Sequence, residues 1–446
     1  MNNWILKLDE FGKIKKADIE ISPFTLFVGD NNSGKSYIMS LIYGIMQLDF
    51  GINQYKINHT SKAYKEIVKW LKHIQTENGE KKVHIEKDIY MHFTDLLNII
   101  LNDNKKIFIR SIFNADIKIN KIELKFEYDN LLYIKKDIVK DISEEKTNYS
   151  ITFWGEDNNE VMRGGIRLPG TFFEFYDIII FAILQQVIRL NCFEKSNLKS
   201  YYLPTSRTGF VLTYKTLVEK SLDDKFNVGK TTKNLLTRPC SEFLSQLSSI
   251  SKKNINKKYS DVVDFIENNI IDGTIKVDEA PISDFMYIPN GSKDEIPMFV
   301  SSGVITEMTP LVLMLKYKEE MGALMMEEPE MCLHPKLQWL IARGLVQITN
   351  TGTPVIITTH SDDILQHINN MIKLSNNNEN KKLMGKYKYR DEDLITEDKI
   401  KMYQFDVESH QTTIQQLKCG EFGFEAPTFN NMLVSLLEES RAFEEE

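Results

Sequence analysis

The chain has 446 residues, of which 42% are hydrophobic, 11% aromatic and 26% charged. Such values exclude a disordered chain and leave material for a large core and up to three domains. Lys and Arg number 55 against 63 Asp and Glu, a formal net charge of −8, which argues against a global electrostatic grip on nucleic acid and leaves a local basic groove open.

The opening MNNWILKLDEFGK mixes acids and bases among its apolar residues and has no signal-peptide core. Trp4-Ile5-Leu6 and Ile19–Ile21 read as short strands around a turn near Gly12, and Phe24–Val28 as a fully buried strand. After the loop Gly29–Ser36, the run YIMSLIYGIMQL reads as a buried helix. Residues 55–104 are mostly helical in pattern, with Ile67, Trp70, Leu71 and Ile74 at 3/4 spacing. From 105 to about 168 the period changes to two, as in Lys121–Phe126, which predicts several antiparallel strands.

Residues 172–190 are again helical. Their longest uninterrupted apolar stretch, Ile178–Leu184, is far below the roughly 18 residues of a membrane span, so no membrane association is expected. Tyr201-Tyr202-Leu203 is strand-like and leads into Pro204-Thr205-Ser206-Arg207. Residues 211–272 are Lys-rich and helix-forming without a sustained heptad. Strands return near Gly273, a tight strand–helix alternation runs to about 365, and the polar stretch that follows reads as an exposed loop with some helix. Ile400–Phe405 and Thr412–Leu417 read as a last pair of strands before a helix at about 428–443. The four cysteines, Cys192, Cys240, Cys332 and Cys419, are far apart with no C-x-x-C pair, the pattern of reduced thiols in a cytoplasmic protein.

Four segments carry chemistry. Gly29-Asp30-Asn31-Asn32-Ser33-Gly34-Lys35-Ser36 matches G-x-x-x-x-G-K-[ST] between an apolar strand and a helix. Backbone N–H groups of such a loop converge on phosphate oxygens at the positive end of the helix, Lys35 reaches the terminal phosphates, and Ser36 ligates Mg2+. In ALMMEEPEMCLHP, an apolar run delivers Glu327 and Glu328 to the edge of a sheet, one for the metal shell and one for the attacking water. TPVIITTHS brings His360 to the same edge, within reach of a γ-phosphate. Val300-Ser301-Ser302-Gly303 opens an apolar helix with a good N-cap, a second anion-binding terminus.

In order and spacing, these four segments resemble the ABC-type ATPases, among them SMC and RecF-like heads, and most of all the OLD-like branch linked to phage defence. The likeness covers residues 22–50 and about 274–420. It implies an α/β fold: an ABC-type P-loop ATPase head with a mixed or parallel sheet core, an antiparallel β subdomain and helical insertions. The head would comprise 1–48, 105–170 and 274–446, with a helical insertion at 49–104 and a helical lobe at 171–273. Gly29, Asn31, Asn32, Ser33, Gly34, Lys35, Ser36 and Tyr37 resemble the Walker A nucleotide site. Glu327 resembles the metal-coordinating Walker B acid, Glu328 the catalytic glutamate and His360 the switch histidine. Ser301, Ser302 and Gly303 resemble the signature loop that caps ATP bound to another subunit, and Glu330–Pro335 the D-loop. Arg207 is similar to an arginine after a strand in OLD-like heads, and stands between a phosphate or inter-subunit contact and a plain surface residue.

The signature reads VSSGV where transporters have LSGGQ, which argues against an ABC transporter. No Q-loop glutamine is assigned among Gln47, Gln54 and Gln75. Asp391-Glu392-Asp393 sits in a polar loop rather than at a strand end, so no TOPRIM nuclease site is expected. The resemblance implies a cytoplasmic ATPase that uses ATP and Mg2+ and forms a homodimer or higher homo-oligomer. As a switch, it would act on a separately encoded nuclease or other effector in anti-phage defence. A RecF/SMC-like repair ATPase that binds DNA directly, and a slow scaffold that sequesters a toxin, are the alternatives. Lys252-Lys253 and Lys257-Lys258 form a modest basic patch, read as a solvated face.

Overall fold

The computed structural model describes residues 4–48, 51–76, 82–128, 133–140, 147–154, 168–169, 176–193, 198–226, 236–251, 255–278 and 284–444. Lys252 and Lys253, and the domain boundaries at 49 and 171, fall outside these residues.

A nine-stranded sheet runs through the centre. From one edge to the other, its strands are Lys121–Phe126, Trp4–Phe11, Ile14–Ile21, Gln411–Leu417, Ile400–Glu408, Phe24–Gly29, Val355–Thr358, Met321–Glu327 and Lys199–Leu203. The last five are mutually parallel. The first three form an antiparallel subdomain, joined to the parallel half through the hairpin of Ile400–Glu408 and Gln411–Leu417. This is the mixed sheet with an antiparallel subdomain that the sequence predicts for an ABC-type head. The strand Lys199–Leu203 lies in the stretch assigned to the helical lobe, and its place in the sheet joins that lobe to the head.

The parallel strands are buried on both faces, as their unbroken apolar runs require. Alternation then sorts their side chains. Phe27, Ala323, Met325, Ile356 and Tyr202 face the core with the helices Lys35–Met46, Lys87–Asp103 and Tyr176–Cys192. Phe24, Leu26, Val28, Leu324, Met326, Val355, Ile357 and Leu203 face the core with the helices Gly303–Tyr317, Pro335–Asn350 and Asp362–Ser375.

The outer edge of the antiparallel subdomain is covered by side-chain amides. On the helix Lys87–Asp103, Asn98 and Asn102 are one turn apart. Asn98 donates to Leu124 O at 2.9 Å and accepts from Leu124 N at 2.7 Å. Asn102 repeats the pairing with Ile122 at 2.6 and 3.1 Å. The free backbone of an edge strand is thereby satisfied without another strand.

Two local expectations differ. Residues 105–113 form a helix, not a strand, because Phe108, Ile109, Ile112 and Phe113 recur at helical spacing and are buried together. Of the strands expected to return from Gly273 onward, the run IPMFV reads as one; only its Ile296-Pro297 is strand, and Met298–Val300 is a 3-10 turn. Asp393 is buried, and its carboxylate accepts from Arg343 and Gln347, each at 2.7 Å. Lys258 pairs with Glu320 at 2.6 Å. No helix among the described residues is long and apolar enough to cross a membrane.

Candidate nucleotide site

Register brings the C-terminal ends of the parallel strands together. Phe27 pairs with Thr358, Thr358 with Glu327, and Met326 with Leu203. The loops that leave this edge therefore carry Gly29–Ser36, His360, Glu327-Glu328 and Thr205–Arg207 side by side, where open parallel sheets bind ligands.

The Gly29–Ser36 loop needs its glycines. Gly29 has φ +130°, and a Cβ there would stand 2.3 Å from Phe405 O on the neighbouring strand. Gly34, at φ +97°, is the left-handed N-cap of the helix Lys35–Met46. Lys35 is 6% exposed. Its Nζ donates to Gly29 O at 3.0 Å, Asp30 O at 2.7 Å and Ser33 Oγ at 3.2 Å. Burial lowers its pKa from 10.5 to about 8, against the opposing pull of Glu328, Asp30, Glu330 and Glu327. Asn31, Asn32, Ser36 and Tyr37 are exposed, so Ser36 presents a free face for a ligand. Tyr37, Asn32 and Gly34 line a cavity of 180 Å3 with Phe11, Gly12, Lys13, Ile14 and Ile117.

Glu327 ends its strand at 5% exposure. Its Oε1 accepts from the Tyr202 hydroxyl, and its Oε2 from Thr205 N at 3.3 Å. Glu328 follows in a left-handed turn, φ +43°, with its N–H donated to Thr358 O at 2.9 Å. That turn directs the two carboxylates differently: Glu327 into the protein, Glu328 toward the half-buried opening. Burial, and then the neighbouring Glu327, raise the pKa of Glu328. His360 Nε2 stands 3.9 Å from Glu328 Oε1. Burial and then Lys35 lower its pKa, which favours the neutral imidazole. His360 N donates to Glu330 Oε1 at 2.6 Å.

Ser302 caps the helix Gly303–Tyr317, but its side chain makes no capping bond; the Thr306 hydroxyl turns back to Gly303 O at 3.1 Å instead. Gly303 lies against Cys332, whose Sγ would be 3.5 Å from a Cβ at that position. Arg207 is not a surface residue. It is 0% exposed, and its guanidinium donates to Pro204 O, Glu327 O and Glu328 O. It also pairs with Glu307, itself 1% exposed, at 2.9 Å.

Among the described residues, no group of three or more His, Cys, Asp or Glu side chains is arranged to hold a metal ion. One carboxylate, one hydroxyl and the oxygens of a phosphate ligand are the donor set that Mg2+ takes in such loops, and Glu327 and Ser36 fit it.

A family profile described as an AAA ATPase domain matches residues 5–164 and 205–365, well over half of the chain. The chain belongs to the AAA ATPase domain family. No curated protein matches this AAA ATPase. Among solved structures, it is similar to the SMC head domain from Thermotoga maritima, with 12% identity, 94% of this chain and 100% of that chain covered, and a TM-score of 0.34. It is similar to an Smc head with an extended coiled coil bound to the C-terminal domain of ScpA derived from Pyrococcus furiosus, at 13%, 99%, 99% and 0.36. An SmcHead bound to the C-winged helix domain of ScpA matches at 13%, 94%, 98% and 0.38.

The sequence of this AAA ATPase does not single out Tyr202, Thr208 and Glu307, and presents Glu330 only as the start of a D-loop-like stretch. One signal was present for Glu307: a lone acid in the apolar run VITEMTPLVLML, which must be paired if the helix is buried. Gln47, one of the Q-loop candidates, is buried at the end of the helix Lys35–Met46, and Gln54 is exposed.

Proposed function

We propose that this protein hydrolyses ATP between two of its own copies and uses the cycle as a switch for another protein. The observation that carries the reading is the convergence of Lys35, Glu327, Glu328 and His360 at one sheet edge, linked through Arg207 to the helix that Ser302 caps.

In this reading, the N–H groups of Gly29–Ser36 hold the phosphates, and Lys35 turns from its own loop carbonyls to the terminal ones. Ser36 and Glu327 would hold Mg2+, which would supply neutralisation of the charge on the bound phosphates. Glu328 orients the attacking water and takes its proton, a task suited to a carboxylate with a raised pKa. Neutral His360, with Nε2 3.9 Å from Glu328, donates to the γ-phosphate in this reading. Ser301, Ser302 and Gly303 of a second protomer close the site. In this reading the head comprises 1–48, 105–170 and 274–446 together with the strand Lys199–Leu203, with insertions at 49–104 and in the rest of 171–273.

The resemblance to OLD-like ATPases makes a separately encoded nuclease the preferred effector, and anti-phage defence the setting. The C-terminal helix Pro427–Glu444 exposes Val434, Leu436, Leu437 and Phe443, which supports a docking role. Light scattering of the full chain with and without ATP tests the reading: ATP-dependent doubling of mass supports it, and a mass that ignores ATP refutes it. ATPase assays with DNA address the repair alternative, which requires stimulation that fades steeply with salt.

A further inference from the structure

We infer that Arg207 and Glu307 are positioning residues that couple the two nucleotide sites of a dimer, making the catalytic turn at Glu328 in one site respond to closure of the other. The inference rests on the two-copy reading above. In that arrangement, a protomer's Glu328 serves the nucleotide on its own loop, while its Ser302 helix closes over the nucleotide of its partner. A connection between Ser302 and Glu328 within one chain is then a connection between sites.

That connection is continuous. Thr306 N donates to Ser302 O at 3.1 Å, and the Thr306 hydroxyl reaches Gly303 O at 3.1 Å. That hydroxyl's one proton has the Thr208 hydroxyl, 3.0 Å away, as its alternative acceptor, and donation there continues the chain because the Thr208 proton goes to Glu307. Thr208 donates to Glu307 Oε2 through both N–H, at 2.9 Å, and hydroxyl, at 2.7 Å. The other carboxylate oxygen, Oε1, pairs with Arg207 at 2.9 Å. Arg207 in turn donates to Glu327 O and, at 2.9 Å, to Glu328 O.

Two physical points make this more than packing. Both charges are fully desolvated, so neither can exchange its partner for water, and a shift of the helix must be followed by the guanidinium or break a buried pair. The residue at the receiving end, Glu328, is held in a left-handed turn at φ +43°. Such a backbone persists only while its surroundings over-determine it. Arg207, itself following a left-handed Ser206 at φ +57°, is one of the groups that does so. Its planar fork reaches three carbonyls and a carboxylate at once, which a lysine ammonium on a flexible stem does not reproduce.

The experiment compares wild type, Thr208→Val, Glu307→Gln and Arg207→Lys in the full chain, measuring ATP binding by calorimetry, ATP-dependent mass by light scattering, and velocity against ATP concentration. Wild type is expected to associate with ATP and to show a sigmoidal velocity curve. Thr208→Val cuts the link to Thr306 and the hydroxyl bond to Glu307, while leaving the Thr208 N–H bond to Glu307 and the ion pair in place, and so is the mildest of the three changes to the fold. It is expected to bind ATP and associate as wild type does, to lose about tenfold in kcat with little change in KM, and to turn hyperbolic. Glu307→Gln and Arg207→Lys are expected to do the same more severely. If Thr208→Val and Glu307→Gln both bind ATP yet keep wild-type kcat and a sigmoidal curve, the coupling is overturned and the two-copy switch stands. If wild type itself fails to associate with ATP, the switch reading falls and the coupling with it.

Discussion

The Tyr202 hydroxyl donates to Oε1 of Glu327, and both side chains are buried, 2% and 5% exposed. Tyr202 sits on the strand next to that of Glu327, one pair short of its end. The bond therefore fixes the carboxylate before any metal arrives. A carboxylate that holds Mg2+ through one oxygen depends on such a partner for its orientation. Tyr202→Phe is expected to bind nucleotide normally and to require about ten- to a hundredfold more Mg2+ for half-maximal turnover. A Mg2+ titration unchanged from wild type would separate Glu327 from the metal.

Lys35 yields two opposite pH trends. Its pKa in the folded protein is about 8, against 10.5 when unperturbed. Phosphate binding requires the ammonium, so the affinity for ATP is expected to fall about tenfold per pH unit above about 8. Stability runs the other way: between about 8 and 10.5 the unfolded chain binds more protons at this lysine than the folded one, so this contribution to folding stability rises with pH. Calorimetric Kd values that stay flat across that window would contradict the buried ammonium. Lys35→Ala is expected to abolish nucleotide binding altogether.

Glu328→Gln keeps the side-chain volume and the Thr358 contact of its backbone but removes the base. It is expected to bind ATP, lose at least about a hundredfold in turnover, and accumulate as an ATP-bound oligomer visible by light scattering. In wild type, the raised pKa of Glu328 moves the acid limb of the kcat profile above the ordinary carboxylate range, with activity lost as pH falls through it. The variant's residual activity should lack that limb.

Much of this site is local in sequence and so was legible. The glycines at 29 and 34, the strand before them and the helix after them lie within one short segment, and the pattern in that context points to a glycine-permissive loop whose N–H groups can meet a phosphate. Glu327 and Glu328 were readable because an unbroken apolar run ends on them. Arg207 was not, because its burial depends on Glu307, 99 or more residues along the chain from the start of the helix Arg207–Phe226 that meets it. Nothing near Arg207 in sequence signals a partner at that distance. The Asn98 and Asn102 pairings were hidden for a related reason: a period of one helical turn in asparagine is uninformative until an open strand edge is found beside it. The helix Lys105–Phe113 was masked by the alternation just after it, which a wide window averages in.

Gly29 offers the test of the strand-to-loop junction. At φ +130° an L side chain is strained whatever the space, and here the space is taken: the added Cβ would lie 2.3 Å from Phe405 O, a backbone atom in a paired strand that has no rotamer to move through. Relief requires the strand Ile400–Glu408 to part from Phe24–Gly29, which would break the register at the point where the loop begins. Gly29→Ala is therefore expected to cost about 2–4 kcal/mol and to lower the melting temperature by several degrees. Gly209, which has nothing within 4 Å of its added Cβ and lies in the helix Arg207–Phe226, serves as the control. Gly209→Ala is expected to be neutral or stabilising, by up to about 1 kcal/mol. Equal melting temperatures for the two variants would show that the strand pair at Gly29 has room to open, and that the loop is set less tightly than its geometry implies.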